Sequence, residues 1–497
     1  MKNYFFYKSN SYFTLKKIFV LILLAFISSI VLGNYYLLKY DKYTDNGYSH
    51  VMLKDETLYH WHEGAKIVEN VKSGKNFFLS GDVRSKSSSN YGTFTKPLPQ
   101  RLVAIYSLLS GHEIIDEWEP NIKIKLGGKL PFLIIQSLVY YLALVYLVLK
   151  ISRIFPIENC FFIVFFLAFE HTIFQYHSSF WSESFYFTLQ ILLLSLLFNN
   201  SYKIFDNFFV GILVGILFLQ RSVAIFYLMP IIIYFIFSFR SKSIKPIVAS
   251  IIGYTLIVFL LGIYNYKKTD VFYIFPSEGK YDLYIYFSMP VLAQKEKISD
   301  PEVQKKEIQI IYKWLKDDNI KLKDGFDLAN MANVFDVMPF IKDEKTKIKY
   351  YNYLSKRQFA IIFENPLIAT KLAIIRTIHF SILDPIHNYY YNEHRGQNKK
   401  PPFIKSQIHK NWIPYRIIYT LLVYFVCFVG LIYFFKQKNY QLLLLLLLSI
   451  FYYIILFGWS GMPRIYAPSL IYLSFFFGNG LVLLMNLLKK NNSIINN

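Results

Sequence analysis

Apolar blocks of about 18 to 25 residues recur along the 497-residue chain, each long enough as a helix to cross a hydrocarbon core of roughly 30 Å. Inside lipid a backbone must satisfy its own polar groups, so blocks of this length form helices. A chain with many of them is an all-α polytopic membrane protein. Its 17% of charged residues crowd between the blocks, against 54% hydrophobic and 19% aromatic, and this separates the lipid-embedded from the wet parts.

The formal net charge of +22 would suggest nucleic acid in a soluble protein. Here many Lys and Arg sit beside block ends, where they set orientation and meet anionic lipid, so membrane lipids are the expected partner and nucleic acid is not. The two cysteines, Cys160 and Cys427, both lie within apolar blocks, which leaves no disulfide framework or structural zinc.

The first block, residues 18–38, follows Lys2, Lys8, Lys16 and Lys17, which places the N-terminus in the cytoplasm. Its length and the bulky residues after it point to a retained anchor rather than a cleaved signal. Further spans are expected at about 130–149, 157–176, 180–198, 207–222, 223–238, 246–264, 412–435, 440–459 and 464–486. These make about ten crossings. Threading them puts Lys150, Arg153, Arg240, Lys242, Lys245, Lys436, Lys438, Lys489 and Lys490 inside. Both termini are then cytoplasmic, in a multi-pass protein of a bacterial plasma membrane. Counting 361–383 as one more span would invert every later loop, so it is read as interfacial or re-entrant. The expected organisation is a single membrane domain over 1–497. It has a first extracytoplasmic loop at 39–129, a second at 265–411 with a helical, charge-rich stretch at 300–356, and a three-span bundle at 412–497. No internal repeat is visible.

Ionisable groups in or beside spans are costly and mark functional sites until a partner explains them. Glu170, His171, His177, Glu183, Arg221 and Arg464 all fall at the outer leaflet in this threading. Each can equally be a headgroup anchor, and Glu183 with Arg221 can be a structural ion pair between neighbouring helices. Just past the first span, helical periodicity sets Asp55, Tyr59, His62 and Lys66 on one face, with Glu56, His60 and Glu63 on the adjacent one. A carboxylate held there can act as a general base toward a hydroxyl. The same residues are also what a solvated amphipathic helix carries, and Glu56, His60 and Glu63 offer ligands to a divalent cation.

Four ordered features resemble the GT-C superfamily of integral membrane glycosyltransferases, in particular the branch with protein O-mannosyltransferases and lipid A aminoarabinose transferases. Asp55-Glu56-Thr57-Leu58-Tyr59 follows the first span, with Ala65 in the same helix. Lys96-Pro97-Leu98-Pro99 leads into an apolar helix ending in Gly111. Ser182-Glu183 opens a span and is followed by Gly211-x3-Gly215 and Arg221. Arg464-Ile465-Tyr466-Ala467-Pro468 opens the last span. The pattern departs from the family in lacking a second proline pair in the first loop and in having Ser222 where a proline commonly follows the arginine.

The resemblance implies a sugar donor on a polyprenyl phosphate in the outer leaflet, a glycan, lipid or protein hydroxyl as acceptor, and inverting transfer without a nucleotide. It makes Asp55 the general base, with Glu56 orienting the acceptor and Tyr59, Lys96, Glu183, Arg221, Arg464 and Tyr466 in the substrate site. The absence of a Gly-rich phosphate loop after a strand agrees with this independently. Two rivals remain: a polymerase or ligase of lipid-linked oligosaccharides, which needs no Asp-Glu pair after the first span, and a flippase, which would place charges through the bundle midplane.

Overall fold

The computed structural model describes residues 13–40, 56–77, 97–111, 129–177, 182–199, 202–274, 283–331, 333–382, 403–460 and 466–495. These are helical with short turns and a single isolated bridge between Leu322 and Ile341. Among the described residues, six helical stretches are long and apolar enough to cross a membrane: Leu15–Asn34, Leu130–Ile151, Ser222–Lys242, Ile244–Lys267, Ile417–Lys436 and Ser469–Lys489. The other four expected spans coincide with shorter apolar helices, Ile157–Phe169, Glu183–Leu197, Ile204–Gln220 and Tyr440–Leu456.

In chain order, α1 is Leu15–Tyr40, α2 Glu56–Lys72, α3 Pro97–Ser110, α4 Lys129–Ile151 and α5 Ile157–Phe169. Then come α6 His171–His177, α7 Ser182–Leu197, α8 Ile204–Gln220, α9 Leu228–Phe239 and α10 Ile244–Thr269. The expected span at 157–176 is therefore broken between α5 and α6. The cause is local, because the Glu170 carboxylate accepts the Ile173 N–H at 3.0 Å and caps the helix that restarts after it. Last come α15 Phe403–Lys436, α16 Tyr440–Ser460 and α17 Ser469–Ile495. α15 starts nine residues before the expected 412.

Lipid supplies no hydrophobic drive between helices, so close packing must hold them together. Glycines provide it where axes cross. Gly211 meets Ser250 and Tyr254 of α10, Gly253 meets the Phe208 carbonyl, and Gly430 and Gly480 bring α15 and α17 into backbone contact. The Gly211-x3-Gly215 motif is thus a crossing surface, with Gly215 against Ile257. A Cβ at Gly211 would run into the Ser250 carbonyl oxygen. Gly211→Val should cost about 1 to 3 kcal/mol, read as a lower melting temperature in detergent; an unchanged melting temperature would contradict this packing.

Ring contacts fix which helix ends lie together. Phe155, after α4, packs on Phe434 near the end of α15 and on Phe475. Phe198 meets Phe475, and Tyr202 meets Phe239 at the end of α9. Lys150, Arg153, Arg240, Lys242, Lys436 and Lys438 therefore gather at one end of the bundle. The ends carrying His177, Glu183, Arg221 and Tyr466 lie at the other. On α1 the side chains of Val20, Leu23, Leu24, Ile27 and Val31 are exposed, as a lipid-facing surface requires.

Residues 283–382 build a second core. A π-turn, Tyr284–Ser288, runs into α11, Met289–Glu296, followed by α12, Asp300–Asp317, α13, Glu344–Glu364, and α14, Pro366–Ile382. The expected helical stretch at 300–356 is thus two capped helices around short 3₁₀ turns. Ser299 and Glu302 form a capping box at the start of α12, and the Asp343 carboxylate accepts the Thr346 N–H at 2.8 Å at the start of α13. Inside, Arg357 grips Glu307 with two hydrogen bonds at 3.0 and 2.7 Å, Tyr284 donates to the same carboxylate at 2.6 Å, and Glu307 holds the Arg357 guanidinium above its ordinary range. α13 and α14 meet at a 96° bend where Pro366 follows Asn365, because proline disfavours helix in the residue before it. α14 returns to the membrane bundle at Gly458 of α16, against Thr377 and Ala373.

Candidate functional site

The structure joins two of the sequence-predicted residues directly. Glu183 sits in the first turn of α7, where the exposed N–H groups favour an acid. Arg221 is the residue at which α8 ends, with an extended backbone (φ −148°, ψ 128°). Because α7 and α8 run antiparallel, these positions meet, and Arg221 Nη1 donates to Glu183 Oε1. Glu183 is 0% exposed and Arg221 3%. Each charge is stabilised by the other, since neither has bulk water to screen it. The Nε–H of Arg221 has no hydrogen-bond partner among the described residues.

Neighbouring groups brace this pair. His177, at the end of α6, is fully buried with its Nδ1 2.6 Å from the Ser184 hydroxyl, next in chain to Glu183. Its ring stacks on Tyr140 at 3.5 Å, and its carbonyl accepts from Ser137 at 2.9 Å. His177 thereby fixes the start of α7 against α4. Glu170 and His171, which lie 2.9 Å apart, are taken up by the helix break described above.

The segment after α1 reaches the same end of the bundle. Gly64 of α2 lies against Val103 and the Gln100 carbonyl of α3, and Gly111 closes α3 with φ +70°, a left-handed turn that favours glycine. α3 packs on α8, and Arg101 Nη2 donates to the Tyr264 hydroxyl near the end of α10 at 2.8 Å while its guanidinium lies over that ring at 4.8 Å. The helix that begins at Glu56, directly after Asp55, is therefore docked through α3 beside the end of α8 where Arg221 stands. Asp55, Lys96 and Arg464 lie outside the described residues, as do the side chains of Glu56, Tyr59, His60 and Glu63. Among the described residues no three His, Cys, Asp or Glu gather closely enough to hold a metal ion.

Tyr466, two positions after Arg464, is buried and its hydroxyl lies 2.6 Å from that of Tyr424. Sequence reasoning passed over Arg101 and a group of tyrosines under the ion pair. Tyr186 bonds Tyr453 at 2.7 Å, Gln190 donates to Tyr453 at 3.0 Å and to Tyr472 at 3.2 Å, and Tyr227 bonds Ser449 at 2.8 Å. The available signal was a Tyr452-Tyr453 pair within an otherwise apolar helix, since buried hydroxyls there need partners. In the comparisons with known proteins, no family model and no curated protein matches the chain.

Proposed function

We propose that the chain is a membrane glycosyltransferase of GT-C type, moving a sugar from a polyprenyl-phosphate donor to a hydroxyl acceptor at the extracytoplasmic face. The observation that carries this reading is Arg221: a buried guanidinium at a break between membrane helices, oriented by Glu183 through one nitrogen and keeping Nε for another acceptor. It stands at the end of the bundle where the helix after Asp55 is docked. A phosphate is the anion such a donor fork matches best.

In this proposal the Asp55 carboxylate takes the acceptor's hydroxyl proton as that oxygen attacks the anomeric carbon. The bond from the anomeric carbon to the phosphate oxygen breaks, its electron pair leaves with polyprenyl phosphate, and the anomeric configuration inverts. Arg221, Arg464 and Lys96 meet the charge that develops on the leaving phosphate. Glu183 keeps Arg221 aimed, Glu56 orients the acceptor, Tyr59 supports its helix against the membrane, and Tyr466 belongs to the substrate site. Arg464→Ala should lower kcat for the lipid donor rather than only raise KM, because the contact strengthens in the transition state. Unchanged kcat in a purified assay would remove Arg464 from the site.

The topology that goes with this reading has about ten crossings, both termini in the cytoplasm, and 361–383 lying in the interface or re-entering from it. It fits the gathering of basic helix ends away from Arg221. Cysteines placed at Lys66 and Lys321 should react with an impermeant thiol reagent in intact cells, and cysteines at Lys242 and Lys490 should not. Labelling at Lys242, or none at Lys66, would reverse the orientation and take the proposed site with it. Mass spectrometry of surface glycans from cells with and without the gene tests the function itself: a sugar should be missing from one glycan class, and identical glycans would argue against transfer.

A further inference from the structure

Between the end of α8 at Gln220 and the start of α9 at Leu228 lie residues 221–227, and their main chain is bonded by tyrosine hydroxyls from two other helices. Tyr452 of α16 donates to the Val223 carbonyl, and the same hydroxyl accepts the Phe226 N–H at 3.3 Å. Tyr254 of α10 donates to the Ile225 carbonyl at 2.6 Å. We infer that Tyr254 and Tyr452 are positioning residues that hold the turn after Arg221 and so set where its guanidinium points, an inference that rests on the transfer reaction proposed above.

The physical argument starts from the turn. Arg221 is extended, Ser222–Ala224 is a single 3₁₀ turn, and the regular helix resumes only at Leu228. Non-helical backbone between membrane helices persists only where protein groups take up the freed carbonyls and N–H groups. The two tyrosines do this from two different helices, each of which packs on α9. Tyr227, at the start of α9, adds a third tie, because its hydroxyl bonds Ser449 of α16 and Tyr472 of α17.

The same hydroxyl set also reaches the acid. Tyr472 and Tyr453 share the Gln190 amide, and Tyr453 bonds Tyr186, one turn along α7 from Glu183. Both members of the ion pair are thereby referred to α16 and α17, and α17 follows Arg464. A guanidinium meant to meet charge on a leaving phosphate must be held before that charge appears, or its contribution is spent on reorganisation. Two tyrosine hydroxyls on its own turn provide that hold.

The test uses the full-length protein in lipid nanodiscs and the double variant Tyr254→Phe/Tyr452→Phe, which keeps both rings and removes both hydroxyls. Amide hydrogen exchange at 222–229 should accelerate about tenfold, the size expected from losing hydrogen bonds of ordinary net strength. Tyr350→Phe removes a comparable buried hydroxyl from the Val334 carbonyl in the second core and should leave exchange at 222–229 as in the wild type. Unchanged exchange at 222–229 in the double variant would overturn the inference.

A second arm separates positioning from plain stability. The double variant should lower kcat for a polyprenyl-phosphate sugar about tenfold in the wild-type background and hardly further in an Arg221→Lys background. Equal losses in both backgrounds would mean that the hydroxyls do not act through Arg221, and would also overturn the inference. If the wild-type protein transfers no sugar from such a donor, the proposed reaction fails, and the exchange measurement alone decides whether the tyrosines hold the turn.

Discussion

Asp55→Asn should reduce sugar transfer by about 10² to 10⁴ fold, the usual contribution of a positioned general acid or base. The substitution keeps the size of the side chain and most of its hydrogen bonding but cannot take a proton from the acceptor hydroxyl. Because the exchange is isosteric and polar, expression and melting temperature in detergent should stay near wild type. Asp45→Asn, ten residues earlier in the same loop, removes a carboxylate without a proposed role and should leave the rate unchanged. Full activity of purified Asp55→Asn would reject the base, even in a protein shown to be a glycosyltransferase by other means.

The second large effect concerns the buried pair. Glu183→Ala strands the Arg221 guanidinium in a site where both residues are at most 3% exposed, and removing one partner of such a pair costs about 3 to 5 kcal/mol. Arg221→Ala strands the carboxylate instead, so a loss of activity in either single variant mixes folding with chemistry. The double variant Glu183→Leu/Arg221→Met removes both charges together, and a buried pair replaced by apolar residues of similar volume is often neutral for stability. It should recover most of the melting temperature lost in Glu183→Ala and still transfer sugar at least about 10²-fold more slowly than wild type, since one fixed donor to a developing oxyanion is worth about that much. A stable double variant with normal transfer would make the pair a structural lock and nothing more.

How much of this could be read from the chain depends on the physics of each feature. Apolar blocks are written in one dimension, so all ten positions expected from hydropathy carry helices, although among the described residues six unbent stretches meet the length and composition for a span. The breaks were harder to see. The interruption at Glu170 comes from a carboxylate turning back to cap the next helix, and hydropathy is blind to that. The 96° bend at Asn365 and Pro366 falls within a stretch that composition marked as neither span nor loop. Between 318 and 343 the charge pattern suggested continuing helix, while Asn319, at φ +54°, closes α12 just after Asp317, and Asp343 caps the start of α13.

Glu183 and Arg221 were legible as candidates because charge in a membrane needs a partner, and their pairing follows once α7 and α8 are antiparallel neighbours. The tyrosines were not. With 42 of them in the chain, a tyrosine can be a lipid-facing ring, an interfacial anchor or a hydrogen-bond donor, and only the packing of α16 and α10 against the turn after Arg221 selects Tyr452 and Tyr254. Arg101 escaped notice for a similar reason: it lies in a loop helix, and its anchoring role depends on Tyr264, 163 residues away.

The most direct test of the central claim is release of polyprenyl phosphate by the purified protein in liposomes supplied with a polyprenyl-phosphate sugar and a hydroxyl acceptor. Wild type should release polyprenyl phosphate in step with glycosylated acceptor, and the stable Glu183→Leu/Arg221→Met protein should release neither at a comparable rate. Release at the wild-type rate from that double variant, or acceptor glycosylation with no polyprenyl phosphate formed, would contradict it.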